Sequence, residues 1–573
     1  MESCPCPDVA SARHEGSGPA AISPKRCSGR TNGTMMWRAS DEQERKRRGT
    51  AAGGQSQLGY LSLFFLCLGA LSVSCYAFYL YYGTPDASRY LDSPALLPAV
   101  KRSRNFSVDL QAPLHVVDDQ FVSFNLDAAL FARSWDWLEL DLAHPRLVAL
   151  CRSLSPALLR VGGATSNLLM FSEKNRTQPD RDLDWKNNVL YPEYRGPLVM
   201  YGNDWLKLNR FVSDVGWELL FTLNGLNRLN GAWDSSNAVR LLRFSDLHKL
   251  NVHWQLGSEL EASGLVRPEE LARDYAGLRH LLLFWQAKSR LVGPELKNTS
   301  AETLAFFDSY SREGRYKSPA ELLNGSVLQE LKKGVQLVLT ALKRNGLRKP
   351  IWITEAAPGV GDDLLAVSGT YASALAYVSL VLISRKKLQC ARWLDTLGSA
   401  AKQGVSLVAR QSLLQGTSRL LDERFSPLPD FWLSLFHKRL VGGRVLRLRA
   451  QPGTDPVRLY AHCLRDGAVK GRRGAVVLLA VNLSNDTVLL RPKDPELRAS
   501  HVMQYALRPK GPLDLLSEDV QLNGRLLAIN DKLQFPDIVP VVLHPMQPLI
   551  LKPHGAAFFV FADYRAPACT ATF

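Results

Sequence analysis

Beginning near residue 118, short apolar runs alternate with longer stretches whose apolar residues recur every three to four positions. The runs "FVSFNLD" (121–127), "ALLRVGG" (157–163), "WELLFTLNG" (217–225), "NVHWQLG" (251–257), "RLVGPE" (290–295), "PIWITEA" (350–356) and "GVSLVARQ" (404–411) read as strands. Segments such as "PEELARDYAGLRHLLLFWQ" (268–286) and "SVLQELKKGVQLVLTALKRNG" (326–346) read as amphipathic helices, the second stopping on Gly346. Strands that are apolar throughout belong to a parallel sheet covered on both faces. Residues 118–435 are therefore expected to form a (β/α)8 barrel. Near residue 436 the rhythm shortens. "RVLRLRAQ", "VRLYAHC", "GAVVLLAVNLS", "HVMQYALRP", "RLLAIN", "QPLILKP" and "AAFFVFADY" are brief strands divided by turn residues, the pattern of an antiparallel β-sandwich over 436–573.

A different pattern precedes the barrel. Residues 58–82 carry no charge, and as a helix they would be about 37 Å long, against a bilayer core of roughly 30 Å. Arg45, Lys46, Arg47 and Arg48 lie on the near side, and Tyr76, Tyr79, Tyr81 and Tyr82 on the far side. The positive-inside rule then keeps the N-terminus cytoplasmic, predicting a type II signal anchor. A cleaved signal peptide is the competing reading, opposed by the 57 residues before the run. Residues 1–57, rich in Ser, Gly, Pro and charge, read as a disordered tail. Residues 83–117 form a stalk with a candidate first sandwich strand. Its "KRSR" (101–104) fits a processing protease and a solvated linker equally well.

The sequons follow the same division. Asn105, Asn175, Asn298, Asn324, Asn482 and Asn485 all lie after the anchor, where N-glycans are added, and only Asn32 lies before it. The expected location is luminal or extracellular, at the cell surface, in the secretory pathway or in a lysosome. Nine cysteines are too few for a disulfide scaffold, and none has zinc spacing. The four past the anchor, Cys151, Cys390, Cys463 and Cys569, allow one or two bridges. A net charge of +16 attracts polyanions without choosing among them. With no zinc-finger or phosphate-loop motif, nucleic acid is not expected as a partner.

Two strands stop on an acid. Glu259 ends "HWQLGSE" and Glu355 ends "KPIWITE", 96 residues apart, about three βα units of a barrel. Both would then stand at the C-terminal mouth. A pair of carboxylates facing each other is the requirement for glycosidic cleavage, one protonating the leaving oxygen and one attacking or activating water. Two solvated loop acids would give the same spacing.

"LSPALLRVGG" (154–163), "WQLGSE" (254–259), "WITEA" (352–356), "FSPLPDFWLSLFHKRLVGGRVL" (425–446), "RLYAHC" (458–463) and "LLSEDVQLNGRLL" (515–527) resemble the heparanase family, glycoside hydrolase family 79. The similarity runs from about residue 105 to 570. It implies a retaining endo-β-glucuronidase acting on heparan sulphate or a related sulphated glycosaminoglycan, with no metal or organic cofactor. It makes Glu259 the acid/base and Glu355 the nucleophile. It places Asp127, Ser258, Arg315, Gly361 and Gln411 at substrate, and pairs Cys463 with Cys569.

Departures cluster around the cleft. The family acid follows Asn and precedes Pro, whereas here the triplet is Ser258-Glu259-Leu260. Ala129, Ala164 and Ala356-Ala357 stand where the family has polar residues. The sixth strand is unmatched between "VGPEL" and "SYSREGR", and roughly fifteen extra residues fall within 374–393. A mis-joined transcript or a splice form would produce both. The residues 172–206 are far shorter than the family's excised linker. The competing function is a catalytically inactive heparan-sulphate-binding protein.

Overall fold

The computed structural model describes residues 102–128, 130, 141–174, 198–258, 260, 265–293, 336, 350–356, 393–414, 419–450, 456–484, 486–510 and 517–571. The expected anchor segment 58–82, the expected cytoplasmic tail 1–57 and the expected helix 326–346 (apart from residue 336) lie outside them. Among the described residues no helix is long and apolar enough to cross a membrane.

The strand β1 (Arg102–Val116) leads into seven strands that form one parallel sheet: β2 (Val122–Asp127), β3 (Leu158–Gly162), β4 (Glu218–Leu223), β5 (Val252–Leu256), β6 (Leu291–Val292), β7 (Trp352–Ala356) and β8 (Leu407–Arg410). Their spatial order is β6-β5-β4-β3-β2-β8-β7. This is the order of a (β/α)8 barrel read around from the fifth strand. Among the described residues the barrel expected from sequence is an unclosed row of seven strands. The residues that would hold a further strand, 294–335 and 337–349, are outside the described set.

Helices α1 (Pro145–Ser153), α2 (Gly202–Asp214), α3 (Ser236–Leu247), α4 (Pro268–Trp285), α5 (Trp393–Lys402) and α6 (Pro429–Leu440) intervene between or follow the strands. Strands β2, β3, β4, β5 and β8 bury both faces. In β3, Leu159 and Val161 join the large core, while Leu158 packs with Leu220, Leu407 and Ala409 in a separate small cluster. Period-two alternation makes that small cluster the inside of the barrel wall, and the large core the layer under the helices.

Beyond α6 run β9 (Val441–Ala450), β10 (Val457–Leu464), β11 (Val476–Asn482), β12 (Val488–Pro492) and β13 (Val502–Pro509), with five further described strands, the last of which is Ala556–Phe561. The sandwich was expected to be antiparallel. The hydrogen-bonded sheet is instead mixed, because β1 lies antiparallel to β9 but parallel to β12. A parallel neighbour needs a long crossover, and β1 has one, since the whole barrel separates it from β12.

In β11 every residue is buried. Val477, Leu479 and Val481 face the core shared with the barrel, and Val476, Leu478 and Ala480 face a second core. Barrel and sheet meet where Gly398 of α5 lies against the Tyr460 ring, with no room for a Cβ. The Tyr460 hydroxyl donates to Asp395 Oδ1 at 2.5 Å. Cys463 and Cys569 are joined, with Cα atoms 5.4 Å apart.

Candidate active site

Arg160 stands two residues beyond Leu158 on β3 and so points into the barrel, where it is 1% exposed. A guanidinium buried this deeply needs partners on every side, and it has them on three. Its Nε donates to Gln255 Oε1 of β5 at 2.9 Å. Its Nη1 pairs with Glu355 Oε1 at 2.5 Å, and its Nη2 donates to Ser258 Oγ at 3.2 Å. Thr222 of β4 also donates to Gln255 Oε1, at 3.3 Å.

Glu355 reaches this network through an irregularity. Along β7, Trp352 packs with the inner cluster and Ile353 with the outer core, so strict alternation would send Glu355 outward with Ile353. Between Ile353 and Ala356 the strand carries one residue more than its partner β8. Such a bulge re-aims the side chains that follow it, and here it brings Glu355 to the inside. Asn125 of β2 supports the bulge, donating to the Thr354 carbonyl at 2.6 Å. The Glu355 side chain remains 22% exposed, so one end is fixed and the other is open.

Ser258 is clamped from a second direction. Asn167 Oδ1 accepts from the Ser258 amide at 3.0 Å, and Asn167 Nδ2 donates to the Ser258 carbonyl at 2.7 Å. This pairing imitates a strand neighbour on the residue just before Glu259. Gly257 makes the turn at φ +67°, a conformation costly to other residues. Leu260 is buried against the space that a Cβ on Gly257 or Gly225 would occupy.

Of the residues singled out from sequence, Glu355 and Ser258 meet on one guanidinium. The Ser258 side is 1% exposed, its hydroxyl facing Arg160. Asp127 ends β2 half-buried, accepts from Thr165 Oγ1 at 3.1 Å, and crowds Gly163, whose φ is +95°. Gln411 follows β8, its carbonyl accepting from the Arg410 side chain. Glu259, Arg315 and Gly361 lie outside the described residues, as do the sequons at Asn175, Asn298, Asn324 and Asn485. Asn105 is exposed on β1. Asn482 is not: it is fully buried, and its Nδ2 donates to the carbonyls of Asp486 and Lys552 at 2.8 and 3.0 Å. That amide is closed to a glycan, a correction to the expectation for this sequon.

Arg160, Gln255 and Asn167 were not recognised from sequence. The available signal was a charge inside the apolar run "LLRVG", which a buried strand can carry only beside a counter-charge. At the N-terminal end of the same sheet, Glu218 and His253 pair at 3.0 Å. The Arg290 amide donates to His253 Nδ1, which leaves Nε2–H as the donor to Glu218. Burial pushes His253 down. Burial also acts to raise Glu218, but hydrogen bonds with Gln120 and His253 outweigh it and hold the carboxyl below its ordinary range. The Glu218 side chain is 35% exposed, more than that of Glu355, but the pair stands at the end of the strands opposite the C-terminal mouth, where the active sites of such barrels are built. Among the described residues no group of three or more ligating side chains could hold a metal.

Residues 115–294 match the profile described as glycosyl hydrolase family 79, N-terminal domain. A GH51 arabinofuranosidase from Xanthomonas axonopodis shares the fold, with a TM-score of 0.51 at 12% identity over 80% of this chain and 99% of that one. The human protein named inactive heparanase-2 is 29% identical over 81% of this chain and 89% of its own length. Heparanase of Gallus gallus is 32% identical over 82% of this chain and 97% of its own length. With likeness at that level across nearly a whole relative, the chain belongs to glycosyl hydrolase family 79, the heparanase family.

Proposed function

We propose that this chain hydrolyses glucuronidic bonds within heparan-sulphate-type glycans, with retention at the anomeric carbon. Glu355 attacks that carbon while Glu259 protonates the leaving oxygen. Glu259 then takes a proton from the water that releases the sugar from Glu355. The observation that carries this reading is the Glu355–Arg160 pair. A nucleophilic carboxylate must be ionised, and an always-charged guanidinium at 2.5 Å stabilises that form while leaving 22% of the side chain accessible. The Asn167 clamp adds support, since it fixes the backbone beside Glu259. We further propose that residues 58–82 anchor the chain with this region luminal or extracellular.

A second reading has its own observation. Ser258 stands where the family has Asn, and its shorter side chain has its hydroxyl buried against Arg160. With one substrate contact missing, transition-state stabilisation falls, and the chain would bind heparan sulphate without cutting it. One experiment separates the two. The chain and its Glu355→Ala variant are incubated with heparan sulphate, and product length is measured. Shortening by the parent alone supports hydrolysis, while binding without shortening by both supports the second reading.

A further inference from the structure

A groove of 650 Å³ opens on the sheet region, over strands β12 and β1 and the edge strand Leu549–Leu551. Its floor includes Leu490, Leu497, Leu549 and Phe561, all members of the second core. It therefore belongs to the face of the sheet turned from the core shared with the barrel. The volume falls within the range of about 300–1,000 Å³ usual for ligand sites.

The lining combines two chemistries. Pro492, Met546 and Pro548 supply apolar surface, Met546 being 68% exposed. Arg491, Lys493 and Arg498 supply charge, each exposed, and no carboxylate lines the groove. Asp494 and Glu496, nearby in sequence, are not among the lining residues, and Asp494 Oδ2 is occupied by the Val108 amide at 2.9 Å. Among the described residues the three cations make no ion pair. Three uncompensated cations around an apolar floor suit a ligand that is anionic at its rim and apolar on its ring faces.

We infer that this groove is a second glycan site, holding a segment of a free, sulphated or carboxylated sugar chain apart from the barrel mouth. The inference goes beyond hydrolysis and stands even if the barrel proves inactive. Charge complementarity favours a polyanion over a neutral sugar, and guanidiniums match sulphate or carboxylate in a two-pronged geometry. Asn105 also lines the groove, so a glycan attached there is the rival occupant.

The test is calorimetric titration of the full chain with a heparin-derived hexasaccharide, with chitohexaose as the neutral probe. It is run on the parent, on Asn105→Gln, and on Arg491→Ala/Lys493→Ala/Arg498→Ala. These are surface positions, and unchanged melting would confirm that the variants fold. The expected result is one groove-dependent mole bound per mole, lost or weakened at least about tenfold in the triple variant, weaker at higher salt, and absent with chitohexaose. Two moles falling to one would mean that the barrel mouth also binds. One falling to none would mean that it does not, leaving the groove intact as a site. Binding unaffected by the triple substitution overturns the inference. So does equal binding of chitohexaose, or binding by Asn105→Gln alone, which would show the groove filled by the chain's own glycan.

Discussion

Two arginines lie on strands of the barrel, and each meets a carboxylate, yet they do opposite things. Arg160 points inward from β3 and holds Glu355, whose side chain is 22% exposed. Arg410 points outward from β8, where Asp430 of α6 pairs with it and the Trp393 ring of α5 lies 5.5 Å from its centre. The Asp430 side chain is only 6% exposed. Alternation along a strand decides the difference. The odd residue of one strand opens on a cleft, and that of another is sealed beneath helices. Buried ion pairs are weak evidence of stability and none of function. Solvent access at the C-terminal mouth of the strands is what the proposed nucleophile has and Asp430 lacks.

The comparison can be broken most directly at Glu355. Glu355→Gln should lower kcat for heparan sulphate by about 10⁴-fold or more, with melting nearly unchanged; an unfolded variant would make this pair structural too. Asp430→Ala should do the reverse, costing about 3–5 kcal/mol in denaturant unfolding because Arg410 is left buried and unpaired. Turnover per folded molecule should persist. If that turnover vanished, the sealed pair would also be catalytic.

A pH scan sharpens the contrast, since neither guanidinium titrates within it. Burial pushes His462 down to about 4, and pushes His437 well down, with His462, Lys438 and Arg465 adding to the effect. Burial likewise takes His554 down to about 4. Each of these folded-state values lies below the unfolded 6.5, so the unfolded chain binds more protons in between. Stability should therefore be complete above about pH 6.5 and fall as the pH drops toward 4. His462 alone would account for about 3 kcal/mol. His462→Phe should flatten part of that loss in urea midpoints measured at pH 7 and 5. Equal slopes in variant and parent would assign the acid sensitivity elsewhere.

The smallest effect is expected at Asn167. Asn167→Ala should cost about 1–3 kcal/mol for the two orphaned backbone groups, and should slow turnover more than it weakens binding. An unchanged kcat would remove the clamp from the site.

Much of this was legible in the residues. The strands were expected at 121–127, 157–163, 217–225 and 251–257, and the parallel wall has them at those places within a few positions. Their unbroken apolar character announces burial on both faces. The mixed direction of the second sheet was not legible, because pairing β1 with β12 depends on two segments that lie 386 residues apart, as Arg102 and Val488 do. Glu355 was legible as an acid at a strand end, but its inward aim was not. The sequence "WITEA" alternates in a way that would turn it outward.

Composition and periodicity by themselves thus determined the kinds of layer, their sequence along the chain, and which acids stand at strand ends. Those features rest on local spacing and on the cost of exposing apolar surface, both of which act within a few residues. What tertiary structure alone decided was partnership. It decided that one extra residue in β7 turns Glu355 onto Arg160, that Asn167 grips Ser258 from 91 positions away, and that Asn482 is shut to modification. Each depends on where distant strands fall against one another, a relation set by packing of the whole and written in no single stretch.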